Sequence, residues 1–396
     1  MALAEEIVRY LATVGRDGTD AFLDMLARSF GPDPEVLRRA VNAWSADASD
    51  SSLLKLTAAI EPPRQELFRR LNMVPGGTEA LVRLRGDLLR LLPARPDLAP
   101  IDADLKHLFT NWFNRGFLQL EEITWATPAD ILERLIEYEA VHAIKGWDDL
   151  RGRLAPDRRC FGFFHPALAR EPLIFVEVAL TRGLASDIAP LIDLARVVRK
   201  PVDADTAIFY SISNCQPGLR GISFGSFLIR HVMGELAARL PRIKTYATLS
   251  PMPRFRAALL KKDDPHGFTE TRGDRLLGKS FAEVRRCVEA GQPPSSSLDA
   301  ALRLLALAYV MRVRSGPRVA DSVGNFHLSN GARIERINPR ADLSEGGRTS
   351  IGVMVNYLYD AAVLEVHHEQ YIETGRVAVA PSLHSAAARV NAAWDG

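Results

Sequence analysis

The stretch from Thr206 to Leu249 constrains this chain more than any other. It opens with a short apolar run, Thr206 to Ile212 (TAIFYSI), rich in β-branched and aromatic residues, which reads as a strand. A loop follows from Asn214, with Gly218, Gly221, Ser223, Gly225 and Ser226 as its small residues. Phe227, Leu228, Val232 and Leu236 then share one helical face as far as Leu240. A third segment, Ile243 to Leu249 (IKTYATL), reads as another strand. Strand, loop, helix and strand in that order imply an α/β domain with some parallel pairing.

The loop has its own chemistry. Small residues let backbone N–H groups approach an anion, and the helix behind it adds the positive end of its dipole. A pyrophosphate suits such a cradle. Glycines between a strand and a helix also serve simply to make a tight turn, and spacing alone leaves both readings open. No G-K-[ST] follows, so the loop is not a Walker A sequence, and G-x-G-x-x-G is absent.

The remainder divides in two. Leu81, Leu84, Leu88 and Leu91 recur at helical spacing, with Thr78 as a cap after Pro75-Gly76-Gly77, and Phe22, Leu26 and Phe30 form an earlier stripe. We expect an all-helical module over 1–104, with a prolyl linker between Pro93 and Pro100, and a mixed α/β catalytic domain over 105–396. Residues 105 to 142 keep a helical pattern, and strands are expected from Leu173 to Leu180 (LIFVEVAL) onward, later at Gly331 to Ile337 and Val353 to Leu358, with a helix over 299–313.

Composition narrows the function. The formal net charge is +2, which with no known nucleic-acid motif disfavours a nucleic-acid binder; the cluster Arg151, Arg153, Arg158 and Arg159 reads as a solvated face. Cys160, Cys215 and Cys287 are widely spaced, without a C-x-x-C, which suits a reducing cytoplasm. The first residues carry acids where a signal peptide needs positive charge, and no apolar run is long enough to span a bilayer, so no membrane role is expected.

Two side chains stand out as chemistry. The strand IKTYATL runs into Ser250-Pro251-Met252-Pro253, which sets Ser250 beyond the carboxyl end of a strand, where ligands bind in open α/β sheets. On position alone a turn cap is the favoured reading of Ser250. His327, in VGNFHLSNG, sits among turn-formers just before a strand, where a structural histidine is the bland reading. His165, before Pro166, competes with it. No histidine pair has the spacing of a zinc site, so no metal is expected.

These residues carry a resemblance. Arg220 to Ser226 (RGISFGS) resembles the R-G-x-G-x-G loop of the GNAT acyltransferases, which cradles the pyrophosphate of coenzyme A, with Ser223 in place of the middle glycine. Five segments in order resemble the malonyl-CoA decarboxylase family: 112 to 132, 139 to 181, 207 to 232, YATLSPMPRF (246 to 255) and VGNFHLSNGARIERINPRADLS (323 to 344). The resemblance implies a helical N-terminal domain followed by a GNAT-like catalytic domain. It implies Ser250 and His327 as the catalytic pair and Ser211 as a further active-site serine. Some relatives have an active-site glutamate where this chain has Ser223, so that carboxylate's role does not transfer.

The expected reaction converts malonyl-CoA to acetyl-CoA and CO2. The thioester itself is the electron sink, so no cofactor is expected. His327 is expected to donate to the thioester oxygen and Ser250 to orient the carboxylate or carbonyl. Substrate contacts are expected from Ser211, Gln216, Gly218, Arg220, Gly221, Ser223, Gly225, Ser226 and Asn325. The N-terminal helices suggest a homo-oligomer, a dimer or tetramer. A GNAT-type acyltransferase and a non-catalytic acyl-CoA sensor are the alternatives, separated by whether CO2 is released without an amine acceptor.

Overall fold

The computed structural model describes residues 1–168, 170–222, 227–261, 267–292 and 294–395. The N-terminal region is helical, as the apolar stripes predict: α1 (Ala2–Thr13), α2 (Arg16–Ser29), α3 (Pro34–Ala46), α4 (Asp50–Ile60), α5 (Pro63–Asn72), α6 (Gly77–Leu91) and α7 (Ala99–Trp112). Phe22, Leu26, Leu81, Leu84 and Leu88 are buried. Two local expectations change. Gly76, at φ 73°, precedes α6 as its N-cap, while the Thr78 hydroxyl donates to Asn72 Oδ1 at 2.7 Å. The proline-rich stretch is no open linker: Pro96–Leu98 forms a 3-10 turn that feeds α7, with Pro100 in its first turn, where its missing N–H costs nothing. The boundary expected at 104/105 falls inside α7.

The strands are β1 (Gln119–Ile123), β2 (Arg158–Phe164), β3 (Ile174–Thr181), β4 (Thr206–Asn214), β5 (Thr245–Thr248), β6 (Ser250–Pro251), β7 (Arg314–Ser315), β8 (Arg318–Val319), β9 (Arg333–Asn338) and β10 (Met354–Tyr359). Eight of them make one mixed sheet in the order β1-β2-β3-β4-β5-β10-β6, with β9 on β10; β7 and β8 form a separate hairpin. β4 and β5 pair in parallel from Thr206/Thr245 to Phe209/Thr248, and β10 runs antiparallel to β5, β6 and β9. β3 is buried at every position but its last, which explains its unbroken apolar run. β1 overturns the expectation that helices continue to residue 142, and β2 precedes Leu173, where strands are expected to begin. β1 (QLEEI) is a largely exposed strand whose acids mask its period, and β2 (RRCFGFF) carries arginines and a glycine amid its aromatics.

The later helices are α8 (Ala129–Tyr138), α9 (Trp147–Arg153), α10 (Ala189–Ile192), α11 (Phe227–Arg239), α12 (Phe255–Leu260), α13 (Glu270–Leu277), α14 (Lys279–Glu289), α15 (Asp299–Arg312), α16 (Ser322–Ser329), α17 (Leu364–Thr374) and α18 (His384–Asp395). α11 joins the parallel pair β4 and β5, the crossover that the sequence implies. The chain forms two compact units. One holds Met1–Gln119, Phe163–Ile174 and the stretch from Asn214; the other holds Leu120–Gly162, Phe175–Ser213 and the C-terminal remainder.

Candidate active site

Ser250 sits where two strands part. The β4–β5 ladder ends at Phe209/Thr248, and the Leu249 N–H makes a last bond to the Phe209 carbonyl at 3.0 Å. The chain then pairs Ser250 with Val355 and Pro251 with Met354 of β10. Pro251 has no N–H to extend a ladder. Ser250 is thus held in a short strand and is buried.

His327 comes from α16, a helix where the sequence suggests a turn. Asp321 accepts the Gly324 N–H at 2.8 Å and so caps the first turn, which offsets the poor helix propensity of Gly324 and Asn325. Gly324 also has little room for a side chain: a Cβ there would lie 3.0 Å from the Tyr357 hydroxyl.

The two candidates meet. Ser250 Oγ lies 2.9 Å from His327 Nε2, and His327 Nδ1 lies 2.7 Å from the Tyr359 hydroxyl. The imidazole stacks on Tyr357, with centroids 4.8 Å apart and planes 26° from parallel. Tyr357 and Tyr359 are two residues apart on β10 and therefore share a face of the sheet. Phe209 of β4 packs edge-on against Tyr359. Burial pushes the His327 pKa down to about 3, so the ring is neutral across the physiological range. Burial pushes the Tyr359 phenol well above its usual range, so it stays protonated.

Ser211 lies on β4, and its hydroxyl donates to the Glu139 carboxylate, 2.9 and 2.8 Å from the two oxygens. Glu139 also accepts from Ser213 Oγ at 3.1 Å and from the N–H groups of Val141 and His142 at 2.8 and 2.7 Å. Asn325 is two residues before His327 and so leaves α16 on a different face; its Oδ1 accepts from the Tyr371 hydroxyl at 2.8 Å.

The loop after β4 is described as far as Ile222, so the calls on Ser223, Gly225 and Ser226 lie outside the described residues. Gln216 is engaged by the protein: its Nε2 reaches Glu171 Oε2 at 3.4 Å and the Pro172 carbonyl at 3.3 Å. Gly218 backs onto α6, where a Cβ would meet the Val82 carbonyl oxygen at 1.8 Å. The buried Arg85 donates to the carbonyls of Gly218 and Arg220 at 2.6 and 3.0 Å and pairs with Asp102 at 2.8 Å. Gly221 is exposed at φ 77°, a left-handed angle that glycine takes without strain, and its side faces the end of Lys106. The Arg220 side chain is exposed. His165 belongs to this helical unit, where its ring packs on Phe113 and Phe117, 4.8 and 6.0 Å between centroids.

Family models described as the malonyl-CoA decarboxylase N-terminal and C-terminal domains match residues 30–113 and 116–394. The chain belongs to the malonyl-CoA decarboxylase family. A protein of Anser anser anser named malonyl-CoA decarboxylase, mitochondrial, is 33% identical over 394 residues, 89% of this chain and 77% of that one. Its namesake of Mus musculus is 33% identical over 373 residues, 85% of this chain and 75% of that one. Crystal structures agree. Malonyl-CoA decarboxylase from Rhodopseudomonas palustris superposes with a TM-score of 0.88 at 47% identity, covering 97% of this chain and 94% of that one. The protein of that name from Agrobacterium vitis gives 0.82 at 43%, covering 99% and 95%. Within the family's fold, the residues that sequence reasoning missed are Tyr357 and Tyr359, Glu139, Arg85 and Lys106. The alternation of NYLY on β10 offered a signal for the tyrosines, and Arg85 is a charge inside a buried leucine stripe; Glu139 and Lys106 had none.

Proposed function

We propose that this chain decarboxylates malonyl-CoA to acetyl-CoA and CO2 through the hydrogen-bonded series Ser250, His327 and Tyr359. That series is the observation that carries the reading. Tyr359 has no other hydrogen-bond acceptor among the described residues, so its O–H donates to His327 Nδ1. A neutral imidazole then carries its one proton on Nε2 and donates it to Ser250 Oγ. Ser250 keeps its own proton for the substrate. In this arrangement the serine is a donor to the thioester oxygen and not an activated nucleophile.

The chemistry follows. The bond from Cα to the carboxylate breaks, its electron pair enters the thioester as an enolate, and CO2 leaves. Cα then takes one proton, with water as its ultimate source, so each turnover consumes one. A preorganised donor at such an oxyanion is typically worth about 3 kcal/mol. Both ring nitrogens of His327 are engaged, so it acts on the substrate through Ser250, whereas the sequence suggested direct donation. Neither a metal nor an organic cofactor takes part in this route.

Gly221, with Arg220 and Lys106 beside it, remains the supported contact for the CoA phosphates in the described part of the loop. Val36, Val41 and Trp44 of α3 and Leu53, Leu54 and Ile60 of α4 are exposed, which supports a homo-oligomer built through these helices. We read the compartment as the cytoplasm; among the described residues no helix is long and apolar enough to cross a membrane. The direct test is malonyl-CoA turnover by the purified chain without an amine acceptor and with EDTA present, following CO2 and acetyl-CoA. Stoichiometric appearance of both is expected; malonyl transfer or simple thioester hydrolysis overturns the reading.

A further inference from the structure

Near its C-terminus the chain encloses a cavity of about 410 Å³ between the end of α15, α17, the segment 376–379 and α18. Its lining carries three arginines, Arg312, Arg314 and Arg376, with His367, His384 and Gln370 beside them and, among the described residues, no Asp or Glu. This is unlike the buried arginines elsewhere. Arg85 is answered by Asp102, and Arg153 by Asp149 and Glu177. Among the described residues, only Arg312 of the cavity has such a partner, Asp395.

Arg314 is the sharper anomaly. Its Nη2 donates to the Met311 carbonyl at 2.7 Å, but its Nη1 is buried with no hydrogen-bond partner among the described residues. Burial lowers its pKa, Tyr371 offsets part of that, and Arg312 beside it lowers it further, as for a desolvated cation. A buried donor left unpaired is destabilising, more so for a charged group. Arg376 is exposed, and no carboxylate of the described residues pairs with it. α18 starts at His384 with no acid in its first turn, so the positive end of its dipole adds to the same field. A second cavity of about 280 Å³ shares Arg312 and Arg314 and adds Arg272 and Trp394. The Trp394 Nε1 is also buried without a partner.

We propose that this cavity is a binding site for a small, multiply charged oxyanion, a phosphate-bearing or polycarboxylate molecule separate from the substrate. Its volume falls in the range of ligand pockets, roughly 300–1,000 Å³. The anion would give Arg314 Nη1 its acceptor and pair Arg376. It would also brace α17, whose His367 and Gln370 line the cavity while His368 and Tyr371 bond α16 at Ser329 and Asn325.

The test uses the full chain saturated with CoA, so that the substrate's own phosphate contacts are filled. Inorganic pyrophosphate and citrate are titrated by calorimetry and in thermal melts at constant ionic strength, with chloride as control. One equivalent of anion and a rise in Tm are expected from pyrophosphate, from citrate or from both; which one binds names the class. The double variant Arg376→Ala/His384→Ala alters two exposed side chains and should fold normally. It should weaken binding at least 10-fold and leave the KM for malonyl-CoA unchanged. The proposal is overturned if neither anion binds below about 1 mM, if chloride matches them, or if the double variant binds as tightly as the parent. It is also overturned if that variant raises the KM for malonyl-CoA in step, since the cavity would then belong to the substrate site.

Discussion

Ser250, His327 and Tyr359 direct their polar atoms at one another, whereas Gln216, Gly218 and the backbone of Arg220 direct theirs at the protein around them. All but Tyr359 come from segments that the sequence singles out. In the first set, burial leaves a neutral imidazole hydrogen-bonded between a serine and a tyrosine. In the second, Gly218 leaves room for the Val82 carbonyl and accepts from Arg85, and Gln216 donates to Glu171 and Pro172. A motif's glycines and polar residues therefore divide between holding the loop and holding a ligand, and spacing does not say which is which.

The comparison breaks most visibly at His327. His327→Ala should lower kcat at least ~100-fold, the usual scale for a removed acid/base or oxyanion network, with little change in CoA affinity. Ser250→Ala should cost a similar factor; a malonyl adduct on Ser250 seen by mass spectrometry would instead support a covalent route. Near-normal turnover by either variant removes it from the chemistry.

Gly218→Ala probes the other side of the comparison. The added methyl must displace the α6 backbone, so it should destabilise the fold by about 1–3 kcal/mol while kcat of the folded fraction stays near normal. A Tm unchanged by this substitution contradicts the packing role. Tyr359→Phe should lower kcat about 10-fold, because His327 loses the donor that fixes its tautomer; a slower rate with unchanged KM is the pattern that separates this from altered binding.

The pH response sharpens the same contrast. His327 has its pKa depressed from 6.5 to about 3 by burial, so kcat should be flat between pH 6 and 8, without a histidine inflection. The unfolded chain binds a proton at this histidine below 6.5 while the folded chain does not until about 3. Its contribution to stability is thus fully present above 6.5 and is lost as pH falls from there toward 3. His327→Gln should flatten that part of the stability profile in urea titrations. The smallest effect is expected at the loop's exposed cations. Lys106→Ala and Arg220→Ala should each raise the Kd for CoA about 5-fold or less, and less still at high salt.

The sequence by itself determined the helical N-terminal region and the parallel pair β4 and β5 with α11 between them, and its family resemblance singled out Ser250 and His327. The elements rest on local patterns, leucines at helical spacing and β-branched runs; the two residues rest on the resemblance, since a serine before two prolines and a histidine among turn-formers read locally as a cap and a structural side chain. The tertiary structure decided what those patterns cannot carry. β1 and β2 take their place from pairing with neighbours distant in sequence, which overrides their polar or mixed composition. His327 stands on a helix because Asp321 caps it, and its tautomer depends on Tyr359, 32 positions further along the chain. The cavity beside Arg314 exists only because α15, α17 and α18 converge there. Hydrogen-bond partners and burial are properties of residues brought together by folding, and nothing in their spacing along the chain records them.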